Sequence, residues 1–395
     1  MNIDSNYPSP SGIRDWLPDK ASLKRKIESI VISEFKKWGY REVIPGTLEY
    51  EEYILRGLGE EEKKQLFRFF GRDGLVHVLR PDMTTPIARM AAAQLTNELL
   101  PVRLFYSGNV FRYEKIQAGR YREFHQTGVE LIGADTTYAD AEILILAGQI
   151  MEAIGVKDFK IGIGQIQLMN LILKSYGLSA RDSLELRNAI ALKDYVSADG
   201  ILKRCGIIGV KSELLKSLSP IYTMKDFERI FNQLRVEESG ETTARLQEVF
   251  LILKEAGLKN KVFIDLGITR DFDYYTGMVF EIYSRSLGFP ICGGGRYNNL
   301  LENFGFKCPA IGFALGLERI MLCLKDMGNA LTNEKNKYLL GGDSFQRLLK
   351  EAAKLRASGY EVEIDVANRS LSELRDYAKK RNFQLVEIAD GGVET

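Results

Sequence analysis

Apolar and polar positions along the chain change period several times, and each period predicts a different element. Between Ala21 and Tyr40 apolar residues recur at the i, i+3, i+4 spacing of one helix face, and Gly39 marks the end of that helix. Residues 41–136 instead alternate short strand-like runs with one helical interval near Thr85 to Leu99, and a further helix is predicted from Ala139 to Ile154. This mixture predicts an α+β fold built on an antiparallel sheet flanked by helices.

The stretch from about 166 to 257 differs from its surroundings, because its apolar spacing is almost wholly helical. Strand-like runs return after it, at 261–268, 273–284 and 289–295, and the last of these ends in the glycine triplet 293–295. A closing helix is predicted from Ala314 to Met327. We therefore expect one domain over residues 1–328, with the helical stretch as an insertion between its strands.

A polar linker over 329–337 precedes a small C-terminal tail over 338–395. Strands and helices alternate in this tail as βαβαβ, which predicts a small α/β unit that ends after its third strand. Ser370 and Glu373 have the spacing of a capping box, in which each side chain satisfies a free backbone N–H at the start of a helix.

The charge of the chain is nearly balanced, and this bears on possible partners. Lys and Arg total 54 against 53 Asp and Glu, giving a net charge of +1 over 395 residues. Such a chain has no overall positive field to attract nucleic acid, although a local basic groove remains compatible with it. The balance therefore argues against tRNA as a partner.

Cysteine and histidine usage gives no metal site. The four cysteines contain no CxxC pair, which fits reduced thiols in a cytoplasmic protein, and no run of residues is apolar enough for a membrane span. Of the two histidines, His77 is expected to be a buried strand residue and His125 a packing residue. Neither is expected to bind a metal or to act as a nucleophile, and the sequence implies a cytoplasmic protein without membrane association.

The hairpin predicted between Asn109 and Gly133 carries the candidate chemistry. Side chains alternate faces along a strand, so Phe124, Gln126, Gly128 and Glu130 share one face. A solvated outer face would explain polar residues in one hairpin, but a buried face with this composition would have to line a polar cavity, because unpaired carboxylates are costly to bury. Further segments of the chain favour the cavity.

Several motifs in a fixed order resemble the catalytic domain of histidyl-tRNA synthetases. The motifs are SPSGIRDWLP (9–18), LRPDMTTP (79–86), FRYEKIQAGRYREFHQTGVE (111–130), RDFDYYTGMVFE (270–281), CGGGRYNNLL (292–301) and IGFALGLERI (311–320). The resemblance covers residue 7 to about 328 and implies a class II aminoacyl-tRNA synthetase-like fold. It also implies self-association as a dimer, through the long N-terminal helix and a strand around Pro45.

The same resemblance implies a pocket for free histidine. Asp82 and Thr84 would meet the ammonium group, Arg112 and Arg270 the carboxylate, and Glu130 a ring N–H. The full set of implied histidine-binding residues is Asp82, Thr84, Arg112, Gln126, Glu130, Arg270, Tyr274, Tyr275 and Tyr297.

Purely structural explanations also fit some of these residues and the neighbouring glycines. Adjacent strand residues face opposite ways, so one of Tyr274 and Tyr275 is expected to be an ordinary core residue. The triplet Gly293 to Gly295 would let backbone approach the ligand, and it also fits a simple turn or bulge.

The family's ATP-binding positions are also present in this chain. Arg112, Glu114 and Arg319 match them, and we treat these residues as a possible ATP or phosphate-binding remnant.

Two departures from the synthetase pattern change the functional expectation. The family's RPEGT motif reads RPDMT at residues 80–84, with a shorter acid at Asp82 and a bulkier neighbour at Met83. The C-terminal tail is also shorter than a complete anticodon-binding domain. With these features the chain most resembles the synthetase paralogues that serve as regulatory subunits of ATP phosphoribosyltransferase.

That resemblance implies a non-catalytic role. The partner would be a short catalytic subunit of ATP phosphoribosyltransferase, and histidine would be a feedback ligand rather than a substrate. No catalytic residue, cofactor or metal ion is implied.

Two other functions remain open from the sequence. The first is a histidyl-tRNA synthetase with a reduced tail, supported by Arg112, Arg270 and Arg319. The second is a synthetase-like signalling module that senses uncharged tRNA, which the balanced charge disfavours.

Overall fold

The computed structural model describes residues 9–115, 119–216, 218, 220–234, 239–268, 274–326, 337–389 and 392–394. The chain forms two compact units, Met1–Ala330 and Leu331–Thr395. Residues 327–336, which include most of the expected linker, lie outside the described residues. Within the described part of the chain, no helix combines the length and apolar character that crossing a membrane requires.

The first unit contains the strands β1 to β11. They are β1 (Arg41–Glu42), β2 (Leu48–Tyr50), β3 (Arg68–Phe70), β4 (Val76–Leu79), β5 (Val102–Phe111), β6 (Glu123–Ile132), β7 (Phe159–Gln165), β8 (Val262–Ile264), β9 (Met278–Ser284), β10 (Pro290–Arg296) and β11 (Ala310–Gly316). Eight of these form one sheet in the order β1-β5-β6-β11-β10-β9-β7-β8, and the other three form a small sheet in the order β2-β4-β3.

The helices of this unit are α1 to α12. They are α1 (Pro18–Lys37), α2 (Glu51–Ile54), α3 (Glu60–Lys63), α4 (Thr84–Gln94), α5 (Thr137–Ala153), α6 (Ile166–Ser175), α7 (Ala180–Ala191), α8 (Tyr195–Arg204), α9 (Val210–Lys216), α10 (Met224–Leu234), α11 (Gly240–Leu253) and α12 (Leu317–Asp326). Helices α6 to α11 all lie in the connection between β7 and β8.

The large sheet is mainly antiparallel, as expected, with one parallel strand pair at each edge. Its interior strand pairs are antiparallel, but β1 runs parallel to β5 and β7 runs parallel to β8. Parallel neighbours need long crossover connections, and these two pairs have them. The helical insertion supplies the crossover from β7 to β8.

One face of the large sheet is covered by helices. Phe35 of α1 packs against Phe105 of β5 and Phe313 of β11, with ring centroids 5.6 and 6.1 Å apart. All three rings are buried, as are Val31 on the preceding turn of α1 and Ile143 of α5. The odd-numbered residues of β6 face these helices, so its even-numbered residues project from the other face.

Several predicted boundaries differ from the observed ones. Residues 314–316 belong to β11 and not to the closing helix, because a continuous apolar run does not distinguish a buried strand from a helix. The interval near Thr85 to Leu99 is helical only as far as Gln94, since Thr96 and Asn97 are poor helix formers and a proline follows at 101. No strand surrounds Pro45, which lies between β1 and β2.

The second unit is an α/β sheet with one more strand than expected. Its elements are β12 (Lys337–Gly342), α13 (Phe345–Ala357), β13 (Glu361–Ile364), α14 (Leu371–Arg381), β14 (Gln384–Ala389) and β15 (Gly392–Glu394). Strands β13, β12 and β14 are parallel, and the short β15 pairs antiparallel to β14. The predicted capping box of Ser370 and Glu373 is confirmed at the start of α14.

The two helices of this unit cover opposite faces of its sheet. Leu348 and Ala352 of α13 pack with Leu340 of β12, whereas Leu374 of α14 packs with the adjacent Leu339. Because Leu339 and Leu340 are consecutive strand residues, they project from opposite faces. Each face therefore has a small core of its own.

Two consecutive leucines of α13 give a matched test of this packing. Leu348 is 2% exposed and Leu349 is 44% exposed. We expect Leu348→Ala to lower the free energy of unfolding of this unit by about 2 to 5 kcal/mol, because it removes core contacts and leaves a cavity. Leu349→Ala should change it by less than about 0.5 kcal/mol. Hydrogen exchange of the β12 amides measures both; equal losses would contradict the assigned helix face.

Candidate functional site

A polar cavity of about 240 Å³ opens on the face of the large sheet opposite α1. Its walls come from the turn before α4, from strands β6, β9, β10 and β11, and from the segments on either side of them. The sequence-predicted residues that line it are Asp82, Thr84, Arg112, Glu114, Gln126, Glu130, Tyr274, Tyr275, Tyr297 and Arg319. Arg270, the remaining predicted residue, lies outside the described residues.

Glu130 lies at the inner end of the cavity and is only 1% exposed. The hydroxyl of Thr84 donates to its Oε1 at 2.8 Å, and the hydroxyl of Tyr297 donates to its Oε2. Burial raises the pKa of Glu130 to about 8, although the two donated hydrogen bonds act in the opposite direction. A buried carboxyl with two donors is thus held where a ligand can meet it.

Gly312 makes room for this carboxyl. It pairs directly with Glu130 across the β6–β11 ladder, and a Cβ atom at position 312 would collide with Oε2. Gly128, two residues before Glu130, similarly leaves space for the buried ring of Tyr106. Both glycines serve the packing of the cavity floor.

Asp82 is the second buried carboxyl of the cavity. Its Oδ2 accepts hydrogen bonds from the backbone N–H and the hydroxyl of Thr85, both at 3.2 Å, at the first turn of α4. Its Oδ1 is buried and has no hydrogen-bond partner among the described residues. Burial raises the pKa of Asp82 to about 6, opposed by the charge of Arg112. Asp82 therefore has acceptor capacity that a cationic ligand group would satisfy.

Three tyrosines form an aromatic wall. The ring centroid of Tyr274 lies 4.8 Å from that of Tyr275 and 5.6 Å from that of Tyr297. The expectation that one of Tyr274 and Tyr275 is only a core residue is wrong, because both line the cavity. They precede β9, whose first residue is Met278, so strand alternation does not apply to them.

The glycine triplet is the middle of strand β10 and not a turn. Gly293 lines the cavity, as expected of backbone that approaches a ligand. A Cβ atom at Gly294 would collide with the carbonyl oxygen of Gly312, and one at Gly295 would come within 2.6 Å of the carbonyl oxygen of Met278. Gly294 and Gly295 therefore allow the backbones of the neighbouring strands β11 and β9 to approach closely.

Arginines also line the cavity. Arg112 donates through Nε to the carbonyl oxygen of Pro81 at 2.8 Å, and its Nη1 lies 3.5 Å from Glu114. Arg319 donates through Nη1 to the carbonyl oxygen of Pro290 at 2.8 Å. The cavity thus combines carboxyl groups suited to a cationic group with guanidinium groups suited to an anionic one.

Sequence reasoning did not single out several residues of this region. Arg120, Tyr121 and Glu281 line the cavity, and Tyr106 lies beneath it beside Gly128. Glu281 pairs with Gly293 across the β9–β10 ladder, so strand parity was a usable signal. Arg120 and Tyr121 follow the hairpin loop, where no periodicity indicates direction.

The two histidines lie outside the cavity. His125 is buried, as expected, and its ring nitrogens lie 2.8 Å from the hydroxyl of Ser107 and 2.7 Å from Oδ1 of Asn109. His77 is only partly buried, because its ring faces Asp73 at 3.3 Å near the surface. Among the described residues, no group of three or more His, Cys, Asp or Glu side chains is arranged as a metal site.

The raised pKa of Glu130 predicts that ionisation of this carboxyl lowers the free energy of unfolding as the pH rises. Its ordinary value is 4.5 and its folded value about 8, so its contribution to stability is complete below pH 4.5 and is lost as the pH rises toward 8. We expect Glu130→Gln to increase the free energy of unfolding by roughly 1 to 4 kcal/mol at pH 8 and by less than about 1 kcal/mol at pH 5. Urea denaturation at the two pH values measures this.

Glu142→Gln is the control, because Glu142 accepts two hydrogen bonds from Arg103, at 2.8 and 2.7 Å, and does not line the cavity. It should lower the free energy of unfolding. A loss of stability in Glu130→Gln at pH 8 would contradict the environment assigned to Glu130.

Comparison with known proteins places these features in one family. Residues 12–320 match the family model described as Histidyl-tRNA synthetase. An ATP phosphoribosyltransferase regulatory subunit from Moorella thermoacetica is 41% identical over 98% of this chain and 100% of its own length. A Histidine--tRNA ligase from Methanocaldococcus jannaschii is 37% identical over 97% of this chain and 91% of its own length.

Solved structures agree with the sequence matches. A protein from Bacillus halodurans, described as an ATP phosphoribosyltransferase regulatory subunit/histidyl-tRNA synthetase, has a TM-score of 0.83 at 30% identity. The match covers 97% of this chain and 98% of that protein. Histidyl-tRNA synthetase from Nostoc sp. PCC 7120 has a TM-score of 0.84 at 22% identity, and the match covers 98% of this chain and 92% of that protein. At this identity the match supports the fold alone. The chain belongs to the histidyl-tRNA synthetase family and has a class II synthetase-like fold; within the family it is a paralogue of the synthetases and groups with the ATP phosphoribosyltransferase regulatory subunits.

Proposed function

We propose that this chain is the histidine-sensing regulatory subunit of a two-protein ATP phosphoribosyltransferase. It acts in the first step of histidine biosynthesis together with a short catalytic subunit, and free histidine binds in the cavity of the large sheet. The chain itself catalyses no reaction in this proposal. The names of its relatives support the regulatory role, and the chemistry of the cavity supports the ligand.

The observation that carries the ligand assignment is the presence of the buried carboxyls of Asp82 and Glu130 in one cavity. The unpartnered Oδ1 of Asp82 suits the ammonium group of histidine, and Glu130 suits a ring N–H. Arg112 lies on the cavity wall with Asp82, where it suits the carboxylate. Tyrosines 274, 275 and 297 supply flat faces for the imidazole. An apolar amino acid would leave these buried groups unpaired, and the cavity should reject it strongly.

Feedback follows from linkage between two binding events. If histidine changes the affinity of this chain for the active arrangement of its partner, the partner changes histidine affinity by the same factor, typically about 5- to 150-fold. No reaction in this chain is required. None of the four cysteines, all of which the structure describes, forms a disulfide, which is consistent with our proposal that the complex acts in the reducing cytoplasm.

We also propose that the chain self-associates as a dimer near Pro45. Ile44 and Leu48, on either side of this proline, are 79% and 58% exposed. Large exposed apolar side chains in one region are typical of a protein contact surface. A second copy of this chain is the occupant that the family resemblance favours.

Histidyl-tRNA synthetase activity is the second candidate function. The 37% identity to the ligase from Methanocaldococcus jannaschii favours it, and Arg112, Glu114 and Arg319 line the cavity as the resemblance to the synthetases requires. The net charge of +1 argues against tRNA binding. Histidine-dependent exchange of pyrophosphate into ATP, followed by charging of tRNA, would favour this candidate over the first.

Reconstitution tests the regulatory proposal. We expect phosphoribosyltransferase activity to appear when this chain is mixed with a short catalytic subunit, and histidine to inhibit the mixture. Glu130→Ala should weaken histidine inhibition by at least about 30-fold, because truncating one partner of a buried hydrogen-bonded pair leaves the other unpaired. Calorimetry should show the same loss of histidine affinity in the isolated variant.

Glu142→Ala serves as the control, since Glu142 pairs with Arg103 away from the cavity and should leave inhibition unchanged. Thermal unfolding verifies that both variants are folded. Inhibition at wild-type histidine concentrations in Glu130→Ala would show that histidine binds elsewhere.

The dimer proposal is tested by the mass of the chain in solution. We expect Ile44→Glu to shift the wild-type dimer to a monomer, because a charge at the contact is costly to bury. Leu192→Glu is the matched control, because Leu192 is 80% exposed on the helical insertion. Sedimentation measures both variants; a dimer that persists in Ile44→Glu would exclude this surface.

A further inference from the structure

An ion network with a buried centre lies where the helical insertion meets the sheet domain. Arg296, at the end of β10, donates through Nε and Nη2 to Oδ1 of Asp140 on α5, at 2.9 and 2.6 Å. Arg245, on α11 of the insertion, donates through Nε to Oδ2 of the same carboxylate at 2.7 Å. Its Nη1 lies 2.7 Å from Asp135. One carboxylate thus joins an arginine of the insertion to an arginine of the sheet.

The sheet arginine is directly connected to the aromatic wall of the cavity. Arg296 precedes Tyr297, whose hydroxyl donates to Glu130. The carbonyl oxygen of Arg296 accepts from the backbone N–H of Thr276 at 2.8 Å, and Thr276 follows Tyr275. The segments that carry all three cavity tyrosines are therefore joined to each other at Arg296.

The insertion itself does not reach the cavity. None of the described residues that line the cavity belongs to α6 through α11. Any effect of the insertion on a ligand in the cavity must therefore pass through an intermediate contact. Asp140 is 1% exposed and Arg296 is 2% exposed, so the contact they make is fully removed from water.

The composition of this network suits positioning better than stabilisation. Buried ion pairs recover their desolvation cost only with good geometry and full hydrogen bonding, and Nη2 of Arg245 has no hydrogen-bond partner in the described part of the chain. A network of this kind tolerates one arrangement of its members and is sensitive to displacement of any of them. Movement of α11 relative to α5 would deprive Asp140 of one of its two arginines.

We propose that Arg245 and Asp140 are positioning residues for the cavity, and that they couple histidine binding to the helical insertion. The proposal rests on the proposed function, because it takes histidine as the ligand. Arg245 holds Asp140, Asp140 holds Arg296, and Arg296 sets the position of Tyr297 beside Glu130. Histidine binding favours the arrangement in which all these contacts are made, and by reciprocity it orders α11, which histidine does not touch.

Hydrogen exchange of the wild-type chain gives the first test. We expect saturating histidine to slow exchange of the α11 amides, residues 240–253, beyond any slowing in α13 of the second unit, which reports nonspecific stabilisation. This measurement needs no variant, so it remains decisive if a substitution in the network prevents folding. Unchanged exchange in α11 on histidine binding would overturn the proposal.

Arg245→Gln gives the second test. We expect it to weaken histidine binding in calorimetry by roughly 2- to 30-fold, the range found for residues that modulate coupling between sites. At saturating histidine the variant should lose the protection of α11 and keep that of β6 and β10. A merely structural role would not separate these segments. Arg245→Lys, which restores one cationic contact to Asp140, should recover part of the affinity.

Arg229→Gln is the matched control, because Arg229 lies on α10 of the same insertion in an exposed pair with Asp226. It should keep wild-type affinity and protection. Wild-type affinity in Arg245→Gln, with α11 still protected, would overturn the coupling and leave the proposed function intact. Failure of the wild-type chain and of its assembled complex to bind histidine would overturn both.

Discussion

Burial of the Glu130 carboxyl in the middle of a sheet is the constraint on which the cavity depends. A carboxyl removed from water is costly unless other groups donate to it, and Thr84 and Tyr297 do so from separate parts of the chain. Space for it exists only because residue 312 on the next strand is a glycine. The start of α4, the end of β10 and the middle of β11 are thus brought to one point by a single side chain.

Strand β6 has polar side chains on both of its faces, and the two faces make different contacts. Toward the cavity it presents Gln126 and Glu130. Toward α1 it presents His125, whose ring lies 3.2 Å from Glu28. The hydrogen bond from His125 is the largest of the effects that lower the pKa of Glu28 to about 2, so this carboxyl stays ionised while Glu130 tends to be neutral. The strand is therefore held to α1 through Glu28 of that helix, and it lines the cavity with its own Glu130.

The departures from the synthetase motif have visible structural consequences. Asp82 uses one oxygen to hold the first turn of α4 and leaves the other unpartnered, while Met83 is 1% exposed and packs in the core with Tyr106 and Tyr297. The turn is therefore tied to the protein core on one side and to the cavity on the other. The cavity is thus in direct contact with α4, and the Asp140 network connects its tyrosines to the insertion.

Periodicity in the sequence was sufficient for the features that depend on neighbouring residues. It determined the alternation of β6 and the helical character of α6 to α11, because side-chain direction repeats every two residues in a strand and about every 3.6 in a helix. The capping box of α14 followed from local spacing, and most of the cavity residues were named by the resemblance to the synthetases. Tertiary structure decided the rest: the parallel edge strands, the strand at 314–316, the inward position of both Tyr274 and Tyr275, and the contact of Arg245 with Asp140. These features join residues far apart in the chain, and such contacts are set by strand register and by the paths of long connections, which no local pattern encodes.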